Sequence, residues 1–406
     1  MNAISCSLVL GVFVVGLTAC GGGGGGGAST PISPVHSASE VVLYSFGSTT
    51  QSFVDGSFPN GDLIQASDGN FYGTTSQGGA NNHGTVFKLT PQGIETVLWS
   101  FGSMGDGSGP YGSLIADAQG NLYGMTAGGG AYYSGTIFKI DSQGVESVLW
   151  SFGSMGDGSG PYGSLIADAQ GNLYGMTYYG GVYGAGTVFK LTLGSTVSES
   201  VLWSFGGTGD GQNPQGSLMT DAQGNLYGMT VLGGANNAGT IFKLTLGNTV
   251  SESVLWSFGG SGDGKYPYGN LIADAQGNLY GMTSAGGANT TGTIFKFDKL
   301  GVESVLWSFN LGGTGDAEFP NGSLLLHSDG NLYGMTNGGG AFGIYGSVFK
   351  LTLGNNVSES VLWSFGGTGD GKKPNGSLIL GSDGNLYGMT NEGGANGVGA
   401  VVRIKP

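Results

Sequence analysis

The chain is predicted to be all-β, a seven-bladed propeller of four-stranded antiparallel blades closed by its N-terminal strand. Three observations predict it. An NLYG or NFYG landmark recurs at Tyr72, Tyr123, Tyr174, Tyr227, Tyr280, Tyr333 and Tyr387, at intervals of 51 to 54 residues. A period of roughly fifty suits propeller blades such as kelch and exceeds that of most helical solenoids. Each unit also carries four short apolar runs and no stretch of helical periodicity. Finally, the series opens with a fourth run and closes with a third one, so the two ends complement each other.

The repetition is close. VLWSFGSMGDGSGPYGSLIADAQGNLYGMT occupies 97–126 and again 148–177 without a change. In the unit spanning 163–205 the four runs are GSLIAD, GNLYGMT, GTVFKLT and SVLWSF, read as strands a, b, c and d. Their apolar residues are nearly continuous, as in sheets covered on both faces. Gln-Gly-Asn or Asp-Gly-Asn between a and b signals a tight turn. Gly-Ser at the start of a suits the innermost strand, where the chains crowd the axis. VVLYSF at 41–46 is a d strand without its own blade, and 399–405 is a c strand without a following d. Pairing the two completes the last blade and removes two exposed edges.

Lys88, Lys139, Lys190, Lys243, Lys296 and Lys350 stand in strand c, and Glu95, Glu146, Glu199, Glu252, Glu303 and Glu359 open strand d. Their separations are seven or nine residues, which preserves the facing parity. They are expected to form cross-strand ion pairs, with Arg403 meeting Glu40 at the ring seam.

Composition bounds the rest. The 406 residues include 88 Gly and 11 Pro, yet 39% are hydrophobic, which fits a packed, turn-rich β protein. A net charge of −14 with only 12 Lys and Arg argues against nucleic acid and favours a cationic or neutral partner. Cys6 and Cys20 both precede the repeats, so the repeats hold neither a disulfide nor a thiolate metal site.

Three domains are expected: a signal peptide at 1–19, a Gly/Ser/Pro-rich tether at 20–39 and the propeller at 40–406. LVLGVFVVGL is too short to span a bilayer comfortably, and LTAC at 17–20 resembles the lipobox of bacterial lipoproteins. That resemblance implies cleavage before Cys20, its lipidation, and attachment to a membrane through the N-terminal lipid. MNAISCS has no Lys or Arg, and an ordinary secretory signal is the alternative. Gly21 lacks the aspartate that retains lipoproteins at the inner membrane, which favours the outer membrane, on its periplasmic or surface face.

LYGMT, the following Gly-Gly, GT(I/V)FKL and VL(W/Y)SF are similar to the GloVer-type (Gloeo/Verruco) tandem repeat of exported bacterial proteins. The resemblance covers nearly all of 40–403, implies export and transfers no activity. Kelch is a looser likeness, through Gly-Gly after strand b and the Trp of strand d. Two positions depart from uniformity: Tyr44 stands for Trp in the first d strand, and Ala317 for Gly after Asp316.

In such a meander the d–a and b–c loops share one face, which is expected to carry recognition because the a–b turns hardly vary. One Asp per unit lies in the d–a loop, at Asp55, Asp106, Asp157, Asp210, Asp263, Asp316 and Asp370. A calcium loop or an anionic ring at the channel mouth competes with a plain turn residue before Gly. Ligand binding is assigned to Tyr132, Tyr133, Tyr178, Tyr179 and Tyr183 of adjacent b–c loops, whose flat rings suit sugars or another planar ligand. The alternative is that they cover their own glycine-rich loops. Phe342 and Tyr345 form a smaller candidate, and Asn81, Asn82, Asn236 and Asn237 read as turn formers. Trp99, Trp150, Trp203, Trp256, Trp307 and Trp363 read as core. His36, His83 and His327 are too scattered for a triad or zinc set. No catalytic residue, metal or cofactor is assigned.

Three functions remain open. The first is a non-catalytic, lipid-anchored envelope or surface propeller binding an extracellular ligand, a glycan ahead of a protein. The second is a self-assembling surface module, which light scattering would reveal. The third is a carbohydrate-active hydrolase or lyase, which clustered carboxylates would favour.

Overall fold

The computed structural model describes residues 38–48, 55–154, 156–310 and 317–406. The signal peptide, Cys20, most of the tether, His36 and Asp316 lie outside the described residues. Among the described residues there is no helix, and the strands assemble into seven main antiparallel sheets, six of four strands and one of five. These are the blades of a β-propeller. In the second blade, strand a is Ile115–Ala116, b is Leu122–Thr126, c is Thr136–Ile140 and d is Glu146–Ser151. Small ribbons such as Gly107–Ser108 with Gly128–Gly129 tie the d–a loop to the b–c loop. In the fourth blade this ribbon merges with strand b, Leu226–Gly233, to give the five-stranded sheet.

The N-terminal strand Ser39–Ser45 pairs antiparallel with Ala400–Lys405, in one sheet with Leu386–Thr390 and Ile379–Leu380. Ser39 lies opposite Lys405, and Ser45 opposite Ala400. The chain therefore enters this sheet at the end where the a–b and c–d turns lie.

Strand a is shorter than GSLIAD suggests, because its Gly-Ser leaves the ladder to line the axis. The backbone N–H of Asp62 donates to Ser113 Oγ, Ser113 to Ser164 Oγ, Ser164 to Ser217 Oγ and Ser217 to Asn270 Oδ1. Asn270 continues to Ser323 Oγ, Ser323 to Ser377 Oγ, and Ser377 returns to Asp62 Oδ1. The bonds of this circuit are 2.5 to 3.1 Å long. The preceding glycines bring each blade against the next. A Cβ on Gly61 would lie 2.6 Å from the carbonyl oxygen of Gly112, and one on Gly112 would strike that of Gly163. The same collision recurs at Gly163, Gly216, Gly269, Gly322 and Gly376, whose neighbour is Gly61.

Blade seams are filled from both sides. The Phe ending each d strand is fully buried, and at six seams it meets the strand c Phe of the following blade edge-on. Phe46 with Phe87, Phe101 with Phe138, Phe152 with Phe189, Phe205 with Phe242, Phe258 with Phe295 and Phe309 with Phe349 have ring centroids 4.9 to 5.4 Å apart. Burying one such ring contributes about 2 to 3 kcal/mol, and the edge-on pairing about 1 kcal/mol more. At the remaining seam Val402 stands in the strand c position, beside Phe365. The glycine of LYG makes room for the ring, since a Cβ on Gly124 would lie 2.6 Å from Phe138 Cζ.

Two expectations are corrected here. The Lys–Glu ion pairs do not form, because Lys88 faces Thr96 while Glu95 faces Leu89, so the two charges project from opposite sides of the sheet. The parity was conserved along the chain, but it places the residues one row apart. The lysines stand over the strand b tyrosines instead, with Nζ 5.4 to 5.9 Å from the rings of Tyr72, Tyr123, Tyr174, Tyr227, Tyr280 and Tyr333. Arg403 likewise lies opposite Tyr387 and Val41, whereas Glu40 lies opposite Ile404. The tryptophans pack against the core from the outer seams and stay half-buried; the fully buried ring is the Phe two residues later.

The glutamates turn toward the aspartates. Asp106 is buried, accepts Trp99 Nε1–H at 3.2 Å and the Gly107 N–H at 2.6 Å, and faces Glu146 of the next outer strand. Burial, then the neighbouring aspartate, pushes Glu95, Glu146, Glu199, Glu252 and Glu303 up to about 7. Glu40, hydrogen-bonded to Asp370, is pushed by the same causes to about 8.

Two predictions follow from these seams and from the axis. Raised folded-state values mean that these glutamates contribute stability in full below about 4.5, their ordinary value, and lose it as the pH rises through 7 to 8. The melting temperature should therefore fall between about pH 5.5 and about pH 8.5, and by less in a Glu146→Gln, Glu252→Gln double variant. Gly112→Ala forces a methyl into the Gly163 carbonyl, and thermal unfolding should show a loss of about 3 kcal/mol.

Candidate functional site

The axis opens on the loop face into a funnel of about 490 Å³. Its wall is built from one motif, x-Pro-y-Gly-z, repeated in every blade: FPNGD, GPYGS, GPYGS, NPQGS, YPYGN, FPNGS and KPNGS. Residue z supplies the axial circuit and Gly the close approach. Residue y, which is Asn60, Tyr111, Tyr162, Gln215, Tyr268, Asn321 or Asn375, forms the rim.

Residue x clamps the rim. It is left-handed in every blade, with φ between 50° and 61° at Phe58, Gly109, Gly160, Asn213, Tyr266, Phe319 and Lys373. Its N–H donates to a carbonyl of the preceding blade, as Gly160 does to Ser134 at 2.9 Å, and its own carbonyl accepts from the b–c loop, as Gly160 does from Tyr178. Holding a side chain in this region costs on the order of 1 kcal/mol, and five of these seven residues carry one. The rim is thus a rigid frame.

Two chemistries divide it. On one side Tyr111 and Tyr162 meet at 5.5 Å, Tyr162 and Tyr178 at 5.6 Å, and Tyr178 and Tyr179 at 4.7 Å between ring centroids. Burial and then the neighbouring phenols raise the pKa of Tyr178, with Tyr268 among them. Tyr111 and Tyr179 remain 38% and 50% exposed. On the other side lies an amide network. Asn375 and Asn391 donate Nδ2–H to Asn60 Oδ1 at 2.9 and 3.0 Å, and Asn337 donates to Asn375 Oδ1 at 3.2 Å. Asn321 extends the arc toward Asn375.

Below the rim the throat is lined by serine hydroxyls, the Asn270 amide and Asp62, the one charged side chain lining the funnel among the described residues. Burial raises the Asp62 pKa, opposed by hydrogen bonds from Ser377 and Ser113.

Of the five tyrosines expected to form one patch, Tyr178 and Tyr179 reach this rim. Tyr132 lies against Leu149 and Trp150 at an outer seam, and Tyr183 against Val201 and Trp203 at the next. Tyr133 is 87% exposed and left-handed. The b–c loop turns outward after its first two residues, which separates these side chains. Tyr345 lies under Lys372, whose Nζ is 4.5 Å from the ring, beside Gly366 rather than on the axis. Asn82 and Asn237 are left-handed turn residues, and Asn81 and Asn236 cap the carbonyls of Phe101 and Phe258. The described d–a aspartates hold the outer seams, so they do not form a ring at the mouth.

Tyr111, Tyr162, Tyr268, Asn60, Asn321 and Asn375 were legible as the varying residue between the constant Pro and Gly of the motif. Among the described residues no group of three or more His, Cys, Asp or Glu could hold a metal ion. His327 sits at an a–b turn, where its Nδ1 accepts the Asp329 N–H.

Solved structures share the fold. Virginiamycin B lyase from Staphylococcus aureus is 13% identical, with a TM-score of 0.56 over 92% of this chain and 100% of that one. The extracellular domain of BT4673 from B. thetaiotaomicron is 10% identical, with a TM-score of 0.57 over 85% of this chain and 38% of that one. At these identities the likeness is one of fold. No curated protein matches the sequence. The Gloeobacter/Verrucomicrobia repeat matches residues 13–168, 153–325 and 304–406, which together take in all the blades, and the chain belongs to that repeat family.

Proposed function

We propose that the protein is an exported, lipid-anchored propeller that binds a carbohydrate at its axial mouth without catalysing a reaction. The observation that carries this reading is the divided rim, with tyrosine rings on one side and a hydrogen-bonded asparagine arc on the other. A sugar ring offers one apolar C–H face for stacking and an edge of hydroxyls for amides. The rim's rigid frame lowers the ordering cost of binding. General acid–base hydrolysis uses two carboxyl groups, and among the described residues Asp62 is the one carboxyl lining the funnel.

Anchoring through Cys20, in the outer membrane, is compatible with this mouth. The described N-terminal strand begins at the turn face, on the opposite end of the blades from the rim. In the same reading, the pairing of Ser39–Ser45 with Ala400–Lys405 latches the ring shut.

A glycan array probed with soluble protein lacking residues 1–37 tests the assignment. Binding is expected, and a Tyr162→Ala, Tyr178→Ala double variant should weaken it by about 10-fold or more. Tyr132→Ala and Tyr183→Ala, at the outer seams, should leave it unchanged. Binding indifferent to the rim pair, or no binding to any glycan, would contradict the assignment.

A further inference from the structure

The seven residues of the axial circuit do one job. Asp62, Ser113, Ser164, Ser217, Asn270, Ser323 and Ser377 each accept the backbone N–H of a neighbouring blade. Six of them do so with a neutral oxygen. Asn270 shows that an amide suffices, since its Oδ1 lies 2.5 Å from the Ser217 nitrogen, the same distance that separates Asp62 Oδ1 from the Ser377 nitrogen. The circuit therefore has no need of a carboxylate at Asp62.

The carboxylate is moreover costly there. Taking a charge out of water is unfavourable unless a partner compensates it, and burial disfavours the Asp62 anion. Among the described residues no Lys, Arg or His lines the funnel. Lys373, which precedes the rim segment of the last blade, is paired with Glu392 at 3.0 Å. Above Asp62 stand Tyr111, Tyr162 and Tyr268, whose ring faces attract cations. The chain as a whole carries a charge of −14, which draws cations toward it. A carboxyl group with hydrogen bonds but no cationic partner among the described residues, an aromatic rim and a hydroxyl-lined throat meet in one cavity.

We propose that the ligand of the mouth carries a protonated amine that descends the throat to Asp62, so that the preferred carbohydrate contains free, unacetylated amino sugars. This rests on the carbohydrate reading above and adds to it the group that is selected. The tyrosine and asparagine sides hold the sugar rings, and Asp62 distinguishes an ammonium from the neutral acetamide that would otherwise occupy its place.

The test uses a glucosamine oligosaccharide and its fully N-acetylated counterpart of equal length, each titrated calorimetrically into the wild-type protein and into Asp62→Asn. The wild type should prefer the free amine by about 10-fold or more, the size of a lost hydrogen bond to a charged group. Asp62→Asn should abolish that preference while leaving the affinity for the N-acetylated oligomer unchanged and the melting temperature no lower, because Asn270 already performs the structural role and an amide avoids the cost of the buried carboxylate. Equal affinity for the two oligomers in the wild type, or a preference that survives in Asp62→Asn, would overturn the amine proposal and leave the carbohydrate reading standing. Failure of both oligomers to bind the wild type would overturn both.

Discussion

The structure depends on the contact between glycine backbones around the axis. Where Gly61 faces Gly112, and so on round to Gly376 facing Gly61, one blade's Cα approaches the next blade's carbonyl so closely that any side chain would intrude. This contact sets the radius at which seven sheets meet. It also sets the positions of the rim residue immediately before each glycine and of the circuit residue immediately after. The placement of rim and throat thus follows from one steric condition applied seven times.

The near-identity of the repeats has a physical explanation in the seams. A blade contributes half of two interfaces: its strand d offers Phe and Trp to the following blade, and its strand c offers a Phe to the preceding one. A change in one unit is felt in both neighbours. The duplicated 97–126 and 148–177 segments each run from one outer strand through the rim to the next strand b, which is the stretch that crosses a seam. The same geometry brings an Asp and a Glu together at the described seams, with the Trp indole, or the Tyr44 hydroxyl at Asp55, and backbone N–H groups satisfying the Asp. A glutamate whose pKa is lifted to about 7 by burial and the neighbouring aspartate is the outcome.

Much of the architecture was legible because blade repeats print their period on the sequence: the Tyr landmarks counted the blades, and the orphan d run at 41–46 indicated which strand it pairs with. The side-chain partners were harder. Counting residues between Lys88 and Glu95 established a constant parity, but only the register, Lys88 opposite Thr96, shows that they lie on opposite sides of the sheet. Trp looked like the core residue because it is the largest in strand d, whereas the smaller Phe101 reaches the centre. The site was sought in the longest and most varied loops. It lies instead around the constant Pro and Gly of a short axial loop, since position on the axis, not loop length, brings residues of distant blades together.

The central claim is that the axial mouth is a binding site built from its tyrosine and asparagine sides, and the most direct measurement is a crystal structure of the propeller soaked with an amino-sugar oligosaccharide. The account predicts electron density for a sugar ring between Tyr162 and Asn375, with its nitrogen directed toward Asp62. Density confined to the outer seams beside Trp150 or Trp203, with the funnel holding solvent alone, would contradict it.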